Sequence, residues 1–109
     1  MDYQQLLEGL WAARVVIGSL DLASGSVVLE FTRTASGAIE AHSLGLVGVE
    51  SLVFTRRGNQ DWAYAEASEV GLYDRGDALE FGVVFWDEPN EMTIACHEAW
   101  LDGKLIARR

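Results

Sequence analysis

The sequence predicts an all-β domain with a short N-terminal helix, folded as an antiparallel β-sandwich or a flattened barrel of seven to eight strands. Apolar and polar residues alternate from Arg14 onward, and turn residues recur about every ten to fourteen positions. No long helical pattern separates the strands, and parallel strands would need crossover helices, so we expect antiparallel sheets. With 109 residues, half of them hydrophobic, the chain is predicted to form a single domain over residues 1–109.

The first ten residues have the spacing of a helix. Leu6, Leu7 and Leu10 share one stripe with Tyr3, and Asp2 is a suitable N-cap, which predicts a helix over about residues 2–11. A helix of two to three turns is not stable alone in water. We therefore expect its apolar stripe to cover one end or one face of the strands that follow.

The strands are predicted between about residues 13 and 107. Period-two alternation and the positions of Gly, Pro, Asn and Asp place them at 15–20, 26–34, 38–46, 50–57, 61–70, 78–87, 91–100 and 105–107. The segment 71–77, with glycines near both ends, is predicted to be a loop.

The second half of the chain is strongly acidic. The formal net charge is -9, and residues 58–103 carry eleven acidic side chains and only one basic one, Arg75. Such a field repels nucleic acid and anionic membrane surfaces, so neither is expected as a partner, and it attracts a basic protein. The competing interpretation is that the charge only keeps a small protein soluble.

Compartment and chemistry follow from what the sequence lacks. No secretory signal follows Met1, and Cys96 is the only cysteine, so no intrachain disulfide can form and a cytoplasmic location is predicted. We find no phosphate loop, metal signature or nucleophile motif, so no cofactor or metal is expected and a non-enzymatic role is favoured. A zinc site would need more converging ligands than Cys96, His42 and His97, and strand alternation places His97 opposite Cys96 and Glu98.

Acidic residues interleaved with aromatic ones predict a protein-binding surface. Tryptophan is common in interface hot spots, and carboxylates select a basic partner. The predicted surface combines one strand, with Trp62, Tyr64, Glu66 and Glu69, and one strand tip, with Trp86, Asp87, Glu88 and Glu91. The competing interpretation is that Trp86 covers a sheet face and the acids form a solvated turn. An edge strand could also mediate a homo-oligomer.

A second hypothesis is a small apolar-ligand-binding barrel, with or without enzymatic activity. Glu66 and Glu98 each lie on an otherwise apolar strand face and could act as acid and base. The preferred explanation is structural: a strand face that turns to solvent near its end, or an ion pair with Arg33 or Arg56. The predicted cavity lining is aromatic: Phe31, Phe54, Phe81, Phe85 and Trp100. A chain of this size needs most of these rings for its own core, which argues against the cavity.

Several segments together resemble a known group of proteins. They are the leading helix, the turn from Leu20 to Val27, the segment from Val47 to Phe54, and the strand from Glu91 that ends at Cys96. In these features the chain resembles small bacterial immunity proteins of polymorphic toxin systems and their uncharacterised relatives. The resemblance implies a non-enzymatic cytosolic protein that binds and blocks a toxin domain, and it includes no binding motif that could be carried over residue by residue.

Overall fold

Two antiparallel sheets form the fold in the computed structural model, which describes residues 3–56, 66–85 and 90–109. A short helical segment, α1 (Tyr3–Glu8), precedes the strands. The strands are β1 (Arg14–Asp21), β2 (Ser26–Ala35), β3 (Ala38–Val47), β4 (Ser51–Thr55), β5 (Ala67–Asp74), β6 (Leu79–Phe85), β7 (Glu91–Cys96), β8 (Glu98–Leu101) and β9 (Lys104–Arg108). The first sheet has the order β1-β2-β3-β8-β9, and the second sheet has the order β4-β7-β6-β5.

One hydrophobic core lies between the two sheets. Along β6 every second side chain is buried, as expected of a strand with one face on a core. Phe31 of the first sheet meets Phe81 of the second edge to face, with ring centroids 6.4 Å apart and an interplanar angle of 83°. Both rings are fully buried together with Leu29, Leu44 and Ile94, so the inner faces of both sheets contribute to the same apolar cluster.

Two neighbouring stretches of chain pass from the first sheet to the second at one corner. The chain of β3 continues into β4, and β8 lies beside β3 while β7 lies beside β4. The backbone turns at Gly48, whose φ is +69°, and at His97, whose amide donates to the Val47 carbonyl over 3.0 Å. A Cβ at Gly48 would lie 3.1 Å from the Cβ of His97, so a glycine lets the two bent segments pack closely.

A second corner joins the outer edges of β1 and β5. The Ala12 amide donates to the Ala67 carbonyl and the Ala67 amide donates to the Ala13 carbonyl, both over 2.8 Å. Arg14 and Glu66 then form an isolated antiparallel bridge. These few bonds connect the two sheets before β1 and β5 diverge.

The N-terminal segment packs on the second sheet. Leu7 and Leu10 are fully buried, and the side-chain amide of Gln4 donates to the carbonyl of Leu72 in β5. The segment is shorter than expected: the helical residues end at Glu8, followed by turns up to Ala12, so a helix over about 2–11 is not supported at that length. Within the described ranges, no helix has both the length and the apolar character needed to cross a membrane.

The prediction of a mostly β fold with antiparallel pairing is confirmed, and three details are corrected. The described residues hold nine strands rather than seven to eight. The strand predicted over 91–100 is divided at His97, where the chain changes sheets. The loop predicted over 71–77 begins later, because β5 continues through Gly71 to Asp74. The parts of predicted strands that fall in 57–65 and 86–89 lie outside the described residues.

Candidate protein-binding surface

Two of the predicted acidic residues lie side by side on the outer face of the second sheet. Glu69 on β5 and Glu91 on β7 both pair with Val84 of β6, which lies between them, and both are exposed. Because neighbouring strands are about 4.8 Å apart, the two Cα atoms are separated by about 10 Å. Among the described residues, neither carboxylate has an ion-pair partner.

The next row of the same face is made of small residues. Gly71, Gly82 and Thr93 are cross-strand neighbours on β5, β6 and β7. A Cβ at Gly82 would meet no atom within 4 Å, whereas a Cβ at Gly71 would overlap the hydroxyl of Tyr73. The missing side chains leave a shallow depression of about 200 Å³ across the sheet.

Tyr73 and Glu80 form the opposite side of this depression. They pair across β5 and β6, and Tyr73 is 45% exposed. The Nε of Arg75 donates to an Oε of Glu80 over 3.0 Å, and its guanidinium carbon lies 5.2 Å from the centre of the Tyr73 ring. On this side of the depression, the guanidinium of Arg75 is therefore bound between the carboxylate of Glu80 and the ring of Tyr73.

We call this surface the acidic groove. It is defined by the outward-facing residues of three adjacent strands: Glu69, Gly71, Tyr73, Glu80, Gly82, Val84, Glu91 and Thr93. Only Glu69 and Glu91 belong to the surface predicted from the sequence. Of the other predicted members, Glu66 is described and lies elsewhere on the surface. Five lie outside the described residues: Trp62, Tyr64, Trp86, Asp87 and Glu88.

Glu66 lies away from the acidic groove, next to the start of β1. A β-bulge between Ala67 and Glu69 separates its position from that of Glu69. Glu66 lines a different surface groove, of about 640 Å³, together with Trp11 and Arg33. The guanidinium of Arg33 donates to Glu40 over 3.0 Å and to the carbonyl of Trp11 over 3.2 Å.

Glu66 and Glu98 do not form an acid and base pair. Glu66 is bridged to Arg14, which pairs with Thr32 of β2. Glu98 pairs with Val47, which pairs with Ser26, a residue six positions before Thr32 on β2. Six residues of a strand span about 20 Å. The two carboxylates therefore lie at opposite ends of the first sheet.

Glu98 has structural partners on the outer face of β8. Its carboxylate accepts a hydrogen bond from the indole of Trp100 over 2.9 Å and pairs with Arg108 over 3.3 Å. The expectation that Glu98 shares a face with Cys96 is wrong, because the bend at His97 changes the phase: Cys96 is buried in the second sheet while Glu98 is only partly buried.

The aromatic residues expected to line a cavity are divided between the core and the surface. Phe31, Phe81 and Phe85 are buried in the core, and Phe54 packs edge to face on Phe85 with ring centroids 6.2 Å apart. Trp100 lies on the outer face with Glu98. The described aromatic rings therefore lie either in the core or on the outer surface, and they do not line a common cavity.

The two histidines lie in separate polar pairs. His42 Nδ1 is 2.7 Å from a carboxylate oxygen of Asp102, whose other oxygen accepts from the Ser43 amide over 2.9 Å. Partial burial opposes ionisation of Asp102, yet the bonds from His42 and Ser43 lower its pKa below the ordinary value. Neither pair brings a histidine to Cys96.

His97 is held at the corner by two acceptors. Its Nε2 lies 2.8 Å from a carboxylate oxygen of Glu50 and its Nδ1 lies 3.2 Å from the carbonyl of Arg109. Both groups accept hydrogen bonds, so the ring satisfies both only when each nitrogen carries a proton. The Glu50 bond first, and then the Arg109 carbonyl, raise the pKa of His97.

Cys96 is isolated from polar chemistry. It is buried and free, and burial raises the pKa of its thiol to about 11, so the nucleophilic thiolate is scarce near neutral pH. In the parts of the chain that the structure describes, no group of three or more His, Cys, Asp or Glu side chains could hold a metal ion.

Comparison with known proteins adds no family to this description. No protein-family model matches the chain, and no curated protein matches it.

Proposed function

We propose that the chain is a non-enzymatic interaction protein that binds a basic protein surface through the acidic groove. The observation that carries this proposal is the position of Glu69 and Glu91 on either side of Val84, next to a floor of small residues. A lysine or arginine of a partner that lies across this face reaches both carboxylates, and the open space at Gly82 lets its backbone approach closely.

Charge and packing make a basic partner the best match. The chain carries a formal charge of -9, which steers a cationic protein toward it over long range. Tyr73, a member of the groove, is 45% exposed and belongs to a residue type enriched at interface hot spots. Arg75 shows how the surface would hold a partner's guanidinium, between a carboxylate and a ring.

Titration of the labelled protein with a basic peptide tests the proposal. We expect a short peptide of alternating arginine and serine to shift the backbone amide resonances of Gly71, Gly82 and Thr93. The double variant Glu69→Gln with Glu91→Gln is expected to weaken binding at least about tenfold, the loss of roughly 1.4 kcal/mol. Salt at about 0.5 M should also weaken it, since the screening length falls to about 4 Å.

A charge-matched control separates the groove from the overall field. Glu8 and Glu40 lie outside the acidic groove, so Glu8→Gln with Glu40→Gln changes the net charge equally and should leave the affinity within about twofold of the parent. Equal weakening by both double variants, or shifts spread over the first sheet, would mean that the acids act only through their net charge.

The resemblance to immunity proteins supports a more specific partner. Under it the basic surface belongs to a toxin domain in the same cell, and the chain acts in the cytoplasm by covering that domain. Co-expression with a toxin encoded beside it is expected to restore growth, and Glu69→Gln with Glu91→Gln should abolish that protection. Protection that survives this double variant would place the interface elsewhere.

A second candidate function is the binding of a small ligand near Glu66. The volume of that groove, about 640 Å³, falls in the range of small-molecule sites. It ranks second because Arg33 is already engaged by Glu40 and by the Trp11 carbonyl. A ligand that protects the Trp11 region from solvent, and loses affinity with Glu66→Gln, would reverse the ranking.

A further inference from the structure

The chain's own Arg75 lies at one end of the acidic groove. Arg75 directly follows β5, and its Nε donates to an Oε of Glu80 over 3.0 Å while its Nη2 donates to the same oxygen. Its guanidinium carbon lies 5.2 Å from the centre of the Tyr73 ring. The carboxylate and the ring that suit a partner's guanidinium are therefore already in contact with one from the same chain.

The backbone of Arg75 is fixed independently of its side chain. The Arg75 amide donates to the carbonyl of Ala78 over 2.9 Å. The Gly76 amide donates to a carboxylate oxygen of Asp74 over 2.9 Å, so the turn between β5 and β6 has hydrogen bonds of its own. The side chain of Arg75 is 59% exposed, and exposed ion pairs are weak because water competes for both partners. The guanidinium can therefore leave Glu80 while the turn keeps its shape.

The ring and the carboxylate stay in place when the guanidinium leaves. Tyr73 and Glu80 are cross-strand neighbours, fixed by the pairing of β5 with β6. The hydroxyl of Tyr73 lies over Gly71, in space that a Cβ at that position would occupy. Tyr73 and Glu80 thus form a preorganised site, which we call the guanidinium subsite, and little has to be ordered when a ligand binds there.

The geometry of the guanidinium subsite favours arginine over lysine. A guanidinium is planar, so it can donate two hydrogen bonds to a carboxylate while it lies over a ring, as Arg75 does. A lysine ammonium is a compact, strongly hydrated charge that lacks this shape. We therefore expect an arginine side chain to be the ligand at this end of the groove.

The guanidinium subsite and the carboxylates of Glu69 and Glu91 have a spacing that an extended peptide matches. Glu69 pairs with Val84. Tyr73 pairs with Glu80, four positions away on both strands. At about 3.4 Å per residue, the two ends of the groove are about 14 Å apart. Side chains four positions apart in an extended segment point to the same side at this same spacing.

We propose, resting on the function proposed for the acidic groove, that Arg75 fills the guanidinium subsite in the free protein and is displaced from it by an arginine of an extended basic segment. The segment's second basic residue, four positions away, lies between Glu69 and Glu91. Arg75 is thus an internal competitor of the partner. An arginine that enters the subsite replaces the bonds of Arg75 in kind, whereas a lysine leaves Arg75 in place.

Two peptides and one resonance test the displacement in the parent protein. One peptide has two arginines separated by three serines, and the other has lysines at the same two positions. On saturation with the arginine peptide, we expect the Nε–H resonance of Arg75 to move toward that of a solvated arginine. The lysine peptide should leave this resonance in place. The measurement requires no variant to fold.

Arg75→Ala removes the competitor and should tighten binding of the arginine peptide at least about fivefold, the combined effect of an exposed ion pair and a cation–π contact. Lys104→Ala is the charge-matched control, because it removes one positive charge from an exposed position of β9 in the first sheet. It should change the affinity by less than about twofold. The lysine peptide should gain less than about twofold from either variant.

The outcomes separate the guanidinium subsite from the groove. If the arginine peptide shifts the amides of Gly71 and Gly82 while the Arg75 resonance stays in place, the subsite is refuted and the groove remains a binding surface. Equal gains for both peptides in Arg75→Ala would also refute the subsite, since local charge would then be the cause. If neither peptide binds the parent protein or Arg75→Ala, the function proposed for the groove fails together with the subsite.

Discussion

Gly48→Ala is expected to destabilise the protein by about 2–3 kcal/mol through two separable effects. The φ of +69° at Gly48 is left-handed, which costs a residue with a side chain about 1–2 kcal/mol. The new methyl carbon would also lie 3.1 Å from the Cβ and Cδ2 of His97, so the histidine must shift. Mild overpacking of this kind adds roughly 1 kcal/mol.

Gly37→Ala is the control that isolates the first effect. Gly37 has a similar φ of +78°, yet a Cβ there would meet no atom within 4 Å. Urea unfolding should therefore show a loss of about 1–2 kcal/mol for Gly37→Ala and about 1 kcal/mol more for Gly48→Ala. With His97→Gly in the background, which removes both the Cβ and the ring of His97, the two glycine variants should cost the same. Equal costs in the parent protein would refute the argument that His97 packs against Gly48.

Three further predictions concern burial and ionisation. Leu7→Ala should cost about 2–3 kcal/mol in thermal unfolding because Leu7 is fully buried, while Leu22→Ala, at an 85% exposed leucine, should stay within about 0.5 kcal/mol. Since its folded pKa is raised, His97 stabilises the protein fully below pH 6.5 and loses that contribution as pH rises through the raised value, so His97→Gln should flatten this part of the stability profile. Cys96 should react with a thiol reagent at pH 8 only after unfolding, since its pKa is about 11.

Each of these has a result that would contradict it. Equal losses for the two leucine variants would mean that Leu7 is not part of the core. If the stability of His97→Gln depends on pH as that of the parent does, the pair of His97 with Glu50 is not the cause of the pH dependence. Rapid native modification of Cys96 would show that the second sheet opens easily under native conditions.

Strand positions could be predicted because alternation is a local property. Val27, Leu29 and Phe31 alternate with polar or partly exposed neighbours, and the structure buries all three in β2. The corner at Gly48 and His97 could not be predicted, because neither residue is unusual in sequence and the bend depends on their contact across strands. The position of Gly71 within β5 could not be predicted either. A glycine locally favours a loop, and the sequence does not indicate that the Tyr73 side chain covers it in the sheet.

Only part of the acidic groove was within reach of the sequence. Glu69 and Glu91 stand out as acids beside aromatic segments, but their proximity depends on both pairing with Val84. Register between strands distant in sequence is set by packing of the whole sheet and is not encoded in any single segment. The glycine row required the same information, since Gly71 and Gly82 become one floor only when β5 and β6 are paired.

The strand order has a consequence for folding during synthesis. β1, β2 and β3 pair with their neighbours in sequence, so they can associate as soon as residues 14–47 are available. Among the described strands, β4 pairs only with β7, and its nearest partners, Thr55 and Glu91, are far apart in the chain. The strand that carries Leu52 and Phe54 therefore cannot form its backbone hydrogen bonds until residues 91–96 have been synthesised. A ribosome-bound chain halted before Glu91 is expected to expose this strand to proteases and chaperones while the first hairpins are already protected.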